Sequence, residues 1–416
     1  MTAPATVRTS LLVLAYVAFV SLALPDGLLG VGWPSMRSTL GVSTEAVGLL
    51  LFAGTAGYLT SSVAAGFTIA RLGVGWLLAG STALTGVALA GFGLSPAFAV
   101  LIPCALLGGF GGGAIDSGLN AYAAGAFGPR QMNWMHAFFG LGATLGPLIM
   151  TGTLGAGLSW RWGYGIVATA QCVLALAFVR TARMWAQRSP TRPVGDAATA
   201  TAAARPRSRE TLVMPAVWLG VAAFAVYVAI EVGAGLWAFL FLTDGRGLSA
   251  TVAGLCVSGY WGSLLVGRVL HGVAGERLKP SRVLVASLVG MAAGALVMAV
   301  PGPGWLAVFG LAVLGFAAAP VFPLLTLTTA DRVGAAHADR AIGMQIAGAG
   351  LGAALIPAGI GVLLSRTAVT ALGPALLVLC MLLIALYATM RRSAARPRVH
   401  GGADVSPIGP AHRRGE

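Results

Sequence analysis

Three carboxylic acids, Asp26, Asp116 and Glu231, lie inside long apolar runs of the sequence. A charged side chain at the centre of a membrane helix costs about 2.5–3.5 kcal/mol on the translocon-insertion scale. Such acids persist where they face a water-filled cavity, pair with a base or carry protons. No lysine or arginine stands near the middle of an apolar run, so we expect the three acids to have no basic partner. Burial disfavours the charged form of a carboxyl group, which makes these acids candidates for binding and releasing protons.

Asp116 has the surroundings that best suit a proton carrier. Asn120 follows four residues later and shares its helix face, and glycines at 111–113 allow a solute or a helix to approach closely. His136, in the next apolar run, could relay a proton to Asp116 because sequential helices are neighbours. The simpler alternatives are a structural hydrogen bond for Asp116 and an interfacial position for His136.

Asp26 and Glu231 occupy matching places in the two halves of the chain. Asp26 lies between Pro25 and Gly27, where we expect the first helix to break and its freed carbonyl groups to help bind a solute or a proton. Capping of the broken helix is the simpler role for Asp26. A hydrogen bond between helices is the simpler role for Glu231.

Aromatic and amide side chains in the same runs predict a polar cavity for a solute. Aromatic faces stack on sugar or drug rings, and amides fix the orientation of a bound molecule. Each aromatic residue has an interfacial alternative, because Trp and Tyr also populate the two membrane–water boundaries. The predicted substrate-binding residues are Asn120, Tyr122, Trp134, Tyr227, Trp237, Tyr260 and Gln345.

The composition predicts a membrane protein. Of 416 residues, 57% are hydrophobic and 9% are charged, against about 25% charged in soluble proteins. This excludes a cytosolic enzyme, a disordered chain and a secreted disulfide scaffold. The net charge of +14 does not predict a nucleic-acid partner, because the basic residues punctuate apolar runs and do not form one soluble face.

Motifs of enzymes and pumps are missing from the sequence. It contains no HExxH, no Walker lysine and no nucleophile elbow with partners, and its four cysteines show no CxxC spacing. We therefore expect no enzymatic activity, no metal and no cofactor. Because the three acids in the apolar runs could carry protons, we expect a transmembrane proton gradient to be the energy source.

Twelve apolar runs are long enough to cross a membrane as helices, which needs about 20 residues each. They predict an all-α fold of two six-helix bundles, residues 1–183 and 212–391. A Pro-, Ala- and Arg-rich linker at 184–211 joins the bundles, and a disordered tail at 392–416 follows. The runs cover residues 9–31, 46–69, 74–93, 98–124, 132–156, 161–182, 213–241, 250–271, 281–300, 304–328, 340–364 and 370–390.

The basic residues predict the orientation of the chain. With a cytoplasmic N-terminus, 22 of the 26 Lys and Arg residues fall on the cytoplasmic side, and only Arg37, Arg161, Arg246 and Arg366 fall outside. This asymmetry predicts cytoplasmic N- and C-termini. We expect the protein in the plasma membrane.

Short matches recur between the two halves at a nearly constant offset, as in many transporters built from repeats. The octapeptides GLGATLGP and GLGAALIP agree at six positions. The matching segments are 140–147 with 350–357, 109–110 with 315–316, 66–72 with 272–278, and Asp26 with Glu231.

Two parallel six-helix repeats, a central linker and a Gly-x-x-x-[Asp/Glu]-Arg turn after helices 2 and 8 resemble the major facilitator superfamily over residues 9–391. In that family the turn latches the cytoplasmic side in the outward-open state. The first copy departs from the pattern, since Ala70 replaces the acid. The resemblance implies a cytoplasmic gating role for Gly66, Arg71, Gly272, Glu276 and Arg277.

Two further features extend the resemblance. Asp26 and Asp116 look like the paired buried carboxylates of the fucose:proton symporter branch of the family. A glycine-proline packing motif in helices 5 and 11 looks like the one the family carries in helix 5. Its residues here are Gly142, Gly146, Pro147, Gly352 and Pro357.

These features together predict a secondary active transporter of a small, sugar-like organic solute. It would work by alternating access with proton-coupled uptake, as a monomer in the lipid bilayer. The alternatives are proton-driven efflux of drugs or metabolites and, more remotely, a membrane receptor that does not transport.

Overall fold

The computed structural model describes residues 9–185, 208–274 and 279–395. Within these ranges the regular structure is entirely helical, and twelve helical segments are long and apolar enough to cross a membrane. The predicted all-α, twelve-span membrane fold is therefore confirmed. Most of the linker predicted at 184–211, and the tail beyond residue 395, lie outside the described residues.

The first half contains six membrane helices. Helix α1 packs on α5, α2 packs on α4, and α3 packs on both α4 and α6. Short 3₁₀ turns at Thr44–Ala46 and Ala182–Trp185 precede α2 and follow α6. The helices are α1 (Thr9–Leu40), α2 (Val47–Leu72), α3 (Val74–Leu94), α4 (Phe98–Ala126), α5 (Pro129–Gly155) and α6 (Trp160–Thr181).

The described part of the second half contains six spans, which are made from seven helices, and two short helices that lie outside the spans. A π-turn, Phe241–Gly245, prolongs α8, and α11 and α12 form one span that is interrupted at Pro320. A 3₁₀ turn, Val369–Ala371, precedes α15. The helices are α7 (Ser208–Leu212), α8 (Pro215–Leu240), α9 (Ala250–Ala274), α10 (Pro280–Ala299), α11 (Gly304–Ala318), α12 (Val321–Leu327), α13 (Thr329–Val333), α14 (Ala335–Arg366) and α15 (Leu372–Ala395).

Close helix contacts recur at equivalent places in the two halves. Gly142 of α5 lies directly against the Val20 carbonyl of α1, and Gly352 of α14 lies against the Ala225 carbonyl of α8. A Cβ atom at either glycine would overlap that carbonyl group, so both positions require glycine for the close approach. In the same way, Gly109 lies directly against the Gly54 carbonyl, and Gly315 lies against the Tyr260 carbonyl.

The expected break in the first helix is wrong, because α1 runs without interruption through Pro25. Proline has no N–H group and leaves the carbonyl of the residue four positions earlier without its helical donor. Here that carbonyl belongs to Ser21, and the Gln171 side chain of α6 donates to it at 3.1 Å. A side chain from another helix thus replaces the missing bond, and Asp26 has no broken helix to cap.

The two halves meet through α1 with α8, α2 with α14, and α5 with α9. We call the membrane face where α1 begins the N face, and the face where α1 ends the far face. Towards the far face the halves are in contact, with Gly48 against Ala358 and Gly30 against Gly235. These contacts close the molecule at the far face.

The halves separate towards the N face. On α2 and α14 the line of contacts continues to Gly350 against Leu59 near the middle of the membrane. Gly66 and Gly343 continue the same two helix faces towards the N face, and each faces open space. A gap between the halves, which we call the central opening, therefore leads from the N face to the middle of the bundle.

Candidate functional site

Asp116 is held by neutral hydrogen-bond donors in the first half. The Tyr58 hydroxyl of α2 donates to Asp116 Oδ2 at 2.5 Å. Asn120 Nδ2, one turn further along α4, donates to Asp116 Oδ1 at 2.8 Å, as the four-residue spacing predicted. Both carboxyl oxygens thus have a donor, and no ion pair to Asp116 is formed among the described residues.

Asp26 faces the place where the halves meet. Leu22, Asp26 and Gly30 share one face of α1 because they are four residues apart. Leu22 lies near Gly112 of α4, and Gly30 lies against Gly235 of α8, so Asp26 points between α4 and α8. Its side chain is exposed although it lies in the middle of a span, which places it in the central opening. No hydrogen bond or ion pair of Asp26 is found in the described part of the chain.

Glu231 has a basic partner, so the expectation that all three acids are unpaired is wrong for this one. Arg268 Nη2 of α9 lies 3.3 Å from Glu231 Oε1. The backbone of Arg268 lies near the N-face end of α9, and its long side chain extends towards Glu231 in the middle of the span. The sequence places the Arg268 backbone near the membrane boundary but does not show how far its guanidinium reaches.

Two tyrosines complete the Glu231 cluster. The Tyr227 hydroxyl, one turn earlier on α8, hydrogen-bonds to Glu231 Oε2, and the Tyr260 hydroxyl of α9 donates to the Glu231 backbone carbonyl at 2.8 Å. The Tyr227 oxygen also lies 3.0 Å from the Ala318 carbonyl, where Pro320 interrupts the tenth span. Both tyrosines were predicted to bind substrate, and the structure places both around Glu231.

His136 and Arg268 lie opposite each other at the central opening. Helices α5 and α9 are in contact where Ser258 of α9 donates to the Thr144 carbonyl of α5 at 2.5 Å. Nearer the N face, the same two helices are in contact where Leu265 of α9 packs on Gly140 of α5. The next turn of the same two antiparallel helices brings His136 to the level of Arg268. His136 is exposed and lies near enough to both Asp116 and Arg268 for their charges to interact.

Three of the other predicted substrate-binding residues are each packed within their own half of the molecule. Tyr122 lies edge-on to Trp185 with ring centroids 4.8 Å apart. The Trp237 indole is buried and donates to the Pro357 carbonyl at 2.9 Å. Gln345 is buried and accepts a 3.0 Å hydrogen bond from Thr329. The structure therefore does not bring these three side chains together with the acids.

Trp134 differs from these three residues because it is exposed. Its side chain is 46% exposed and lies near Phe138, one turn later on α5.

The remaining predicted residues lie on helix ends and packing faces. Gly66, Arg71 and Gly272 are exposed near the N face, whereas Glu276 and Arg277 lie outside the described residues. Gly146 and Pro147 pack closely on Gly27 of α1. This contact, like that of Gly142, joins α1 and α5 within the first half.

Sequence reasoning missed Tyr58 and Arg268. Both are polar side chains within predicted membrane spans, which was a usable signal, but neither lies near its acid in the sequence. Asn120 could be assigned because a helix fixes the distance between residues four apart. Partners from a different helix depend on how the helices are rotated against each other, which the apolar pattern does not define.

Comparisons with known proteins agree on the fold. A sequence model described as Major Facilitator Superfamily matches residues 15–258 and 219–414. The crystal structure of a D-xylose-proton symporter superposes with a TM-score of 0.73 at 16% identity, over 91% of this chain and 97% of that one. The nucleoside transporter NupG gives 0.66 at 15% identity, over 94% and 100%. A peptide transporter, POT, in complex with sulfate gives 0.69 at 16% identity, over 94% and 98%.

Proposed function

The chain belongs to the major facilitator superfamily, and we propose that it is a secondary active transporter that moves a small organic solute by alternating access. The arrangement of the halves supports this proposal. They touch at the far face and part at the N face, and polar side chains from both halves border the gap between them. Rocking of the first bundle (residues 1–183) against the second (residues 212–391) would expose this central region to each side in turn.

We propose that transport is coupled to protons. The observation that carries this proposal is the pair of acids Asp26 and Asp116, which lie in the middle of their spans and form no ion pair within the described ranges, with His136 close to Asp116. A carboxyl group that has no basic partner and lies in a narrow opening within the membrane is less well solvated than in bulk water, which favours its neutral, protonated form. The proton gradient would then supply the energy, with no bound cofactor.

The direction, orientation and solute class belong to the same proposal. The distribution of basic residues favours cytoplasmic termini in the plasma membrane, which makes the N face cytoplasmic. We propose uptake of a sugar-like solute by a monomer, in line with the paired acids and with the D-xylose-proton symporter among the similar structures. The gating role of Gly66, Arg71 and the 272–277 turn remains a prediction.

The test is a flux assay in proteoliposomes. The purified protein is reconstituted with an inward proton gradient, and uptake of a panel of sugars and other small organic solutes is measured together with the internal pH. The proposal predicts that at least one solute accumulates and carries protons with it. Accumulation that runs against the proton flow would instead identify an exporter. Absence of both solute and proton flux across the panel would refute a transport function.

A further inference from the structure

The pair formed by Glu231 and Arg268 points to the chemical class of the solute. We infer that the transported solute carries a single carboxylate group, which takes the place of Glu231 as the partner of Arg268 when Glu231 is protonated. This inference rests on the proposed function and makes it more specific. It predicts a hydroxylated acid, such as a sugar acid, where the proposed function requires only a sugar-like molecule.

The hydrogen bonds of Tyr227 leave a place for a proton on Glu231. The Tyr227 hydroxyl has one hydrogen but lies within bonding distance of two acceptors, Glu231 Oε2 and the Ala318 carbonyl. With Glu231 ionised, one of the two acceptors receives no hydrogen from Tyr227. With Glu231 protonated at Oε2, the acid donates to the Tyr227 oxygen and Tyr227 donates to Ala318. With Glu231 protonated, Glu231 Oε2, the Tyr227 hydroxyl and the Ala318 carbonyl are therefore all hydrogen-bonded.

Arg268 is held weakly enough by Glu231 to accept another anion. The two side chains share one contact of 3.3 Å, whereas charge-assisted hydrogen bonds are typically about 2.7–2.9 Å long. A guanidinium presents five N–H donors in a planar fork that matches a carboxylate. The Arg268 side chain is 23% exposed and lies level with His136 at the central opening. A solute in that opening can reach it.

Charge balance couples the solute to the proton. Protonation of Glu231 leaves Arg268 without a counter-ion in a poorly solvated place, where an unpaired charge is unfavourable. A monoanionic solute restores neutrality, whereas a neutral sugar does not. In the opposite half, Asp26 and Asp116 repel an anion while they are ionised. Protonation of the acids in either half therefore favours binding of the same anionic solute.

The other groups around Glu231 are compatible with this exchange. The Glu231 carboxyl group contacts the Tyr227 hydroxyl of α8 and the Arg268 guanidinium of α9, and Tyr260 of α9 donates to the Glu231 backbone carbonyl. The Ala318 carbonyl of α11 is a partner of Tyr227. Beyond them Cys380 of α15 lies near Tyr260. Across the opening, a protonated His136 would add positive charge opposite Arg268 and favour an anion further. The titratable groups concerned are Tyr227, Tyr260, Arg268, Cys380, His136 and Asp26.

The first experiment uses the native protein. Lactate, gluconate and galacturonate are compared with glucose and galactose, and proton uptake on binding is measured in weakly buffered solution. We expect at least one acid to bind with uptake of a proton and about tenfold or more tighter than the neutral sugars. A neutral sugar that binds with proton uptake while none of the acids binds would overturn this inference and leave the proposed function intact. If none of the acids binds with proton uptake, this inference is likewise overturned, and the flux assay decides the proposed function separately.

The second experiment uses variants of the pair. Glu231→Gln keeps the shape of the acid in its neutral form and should bind the anionic solute with a weaker dependence on pH than the native protein, because only Asp26, Asp116 and His136 then still titrate near the solute. Arg268→Lys keeps the charge but loses the fork, and acid binding should fall about tenfold. Asp244→Asn and Arg282→Lys, at loop and helix-end positions of the same half, are matched controls that should behave as the native protein.

Two results would contradict the role of the pair. One is a Glu231→Gln protein whose acid binding keeps the native pH dependence. The other is an Arg268→Lys protein that binds the acid as tightly as the native chain. If a variant fails to fold, the proton uptake measured on the native protein still decides between an acid and a neutral solute.

Discussion

The two halves hold their membrane carboxyl groups with different partners. In the first half Asp116 receives hydrogen bonds from two neutral groups, Tyr58 and Asn120. In the second half the Tyr227 hydroxyl forms a hydrogen bond with Glu231, and the Arg268 guanidinium forms an ion pair with it. Among the described residues, Glu231 therefore has a counter-ion and Asp116 has none.

The internal repeat shows where this difference arises. At the offset of 206 that relates residues 66–72 to 272–278, Ser62 corresponds to Arg268, and Tyr58 corresponds to Leu264. The repeat pairs Asp26 with Glu231 and gives the first half a serine where the second half has Arg268. Asp116 corresponds to Phe322 at the same offset and has no acidic counterpart in the second half. The comparison suggests that the acids of the first half exchange protons without a counter-ion, whereas a proton on Glu231 replaces its ion pair with Arg268.

The largest effect is expected at Asp116. Asp116→Asn keeps both hydrogen-bond neighbours but removes the group that exchanges the proton, so solute accumulation driven by a proton gradient should be lost. Exchange of labelled for unlabelled solute at equal concentration needs no net proton movement and should survive. Both rates can be measured in proteoliposomes. Proton-driven accumulation at the native level in this variant would remove Asp116 from the mechanism.

The next effect concerns stability in the second half. Arg268→Gln leaves Glu231 without its counter-ion. Loss of one partner of a fully buried pair costs about 3–5 kcal/mol, and we expect about 3 kcal/mol here because Arg268 is partly exposed. A protonated Glu231 needs no counter-ion, so the loss should be large at alkaline pH and small at acidic pH. Thermal unfolding in detergent at the two pH values measures it. Addition of Glu231→Gln should restore most of the stability, and an equal loss at both pH values would argue against the pair.

A smaller and symmetrical effect is expected from the helix contacts that both halves share. Gly142→Ala and Gly352→Ala each push a methyl group against a backbone carbonyl, and overpacking of this kind costs about 1–3 kcal/mol. Gly152→Ala and Gly359→Ala, on the same helices, face open space and serve as controls. Unfolding measurements that show no difference between the two pairs would contradict the repeated packing.

The smallest effect is expected for the loss of one tyrosine hydroxyl, and its dependence on pH should differ between Tyr58 and Tyr227. Tyr58→Phe removes a donor to Asp116 and should cost about 1 kcal/mol, chiefly at alkaline pH, where the ionised acid uses that donor. Tyr227→Phe also removes the hydrogen bond to the Ala318 carbonyl, so its cost should remain at acidic pH. The pH dependence of unfolding for the two variants provides the comparison. Identical pH profiles would show that the two acids are supported in the same way.

The sequence predicted the fold well because lipid imposes simple requirements on a chain. Each run of about 20 apolar residues had to become a helix, and the helices begin and end within a few residues of most predicted spans. Pro25 was the exception, since the helix continues where a break was expected. Gln171 of another helix supplies the missing donor, and no local pattern shows that contact.

The site was predictable only in part. The acids were visible because a carboxyl group in an apolar run is costly, and Asn120 followed from helix geometry. Arg268 was placed at the membrane boundary because the position of a backbone does not show the reach of a long side chain. Tyr122, Trp237 and Gln345 resembled cavity residues by type, but the packing of each half buries them away from the acids.

The most direct test of alternating access is the distance between the halves at the N face. Spin labels at Gly66→Cys and Gly343→Cys occupy open space on facing helices, in a chain whose four native cysteines are replaced. Double electron–electron resonance is recorded at a series of pH values with and without a transported solute, and with Asp116→Asn. Alternating access predicts a new, shorter distance when protons and solute are both present, reached at higher pH in the Asp116→Asn protein. A single distance unaffected by protons, solute or the substitution would contradict it.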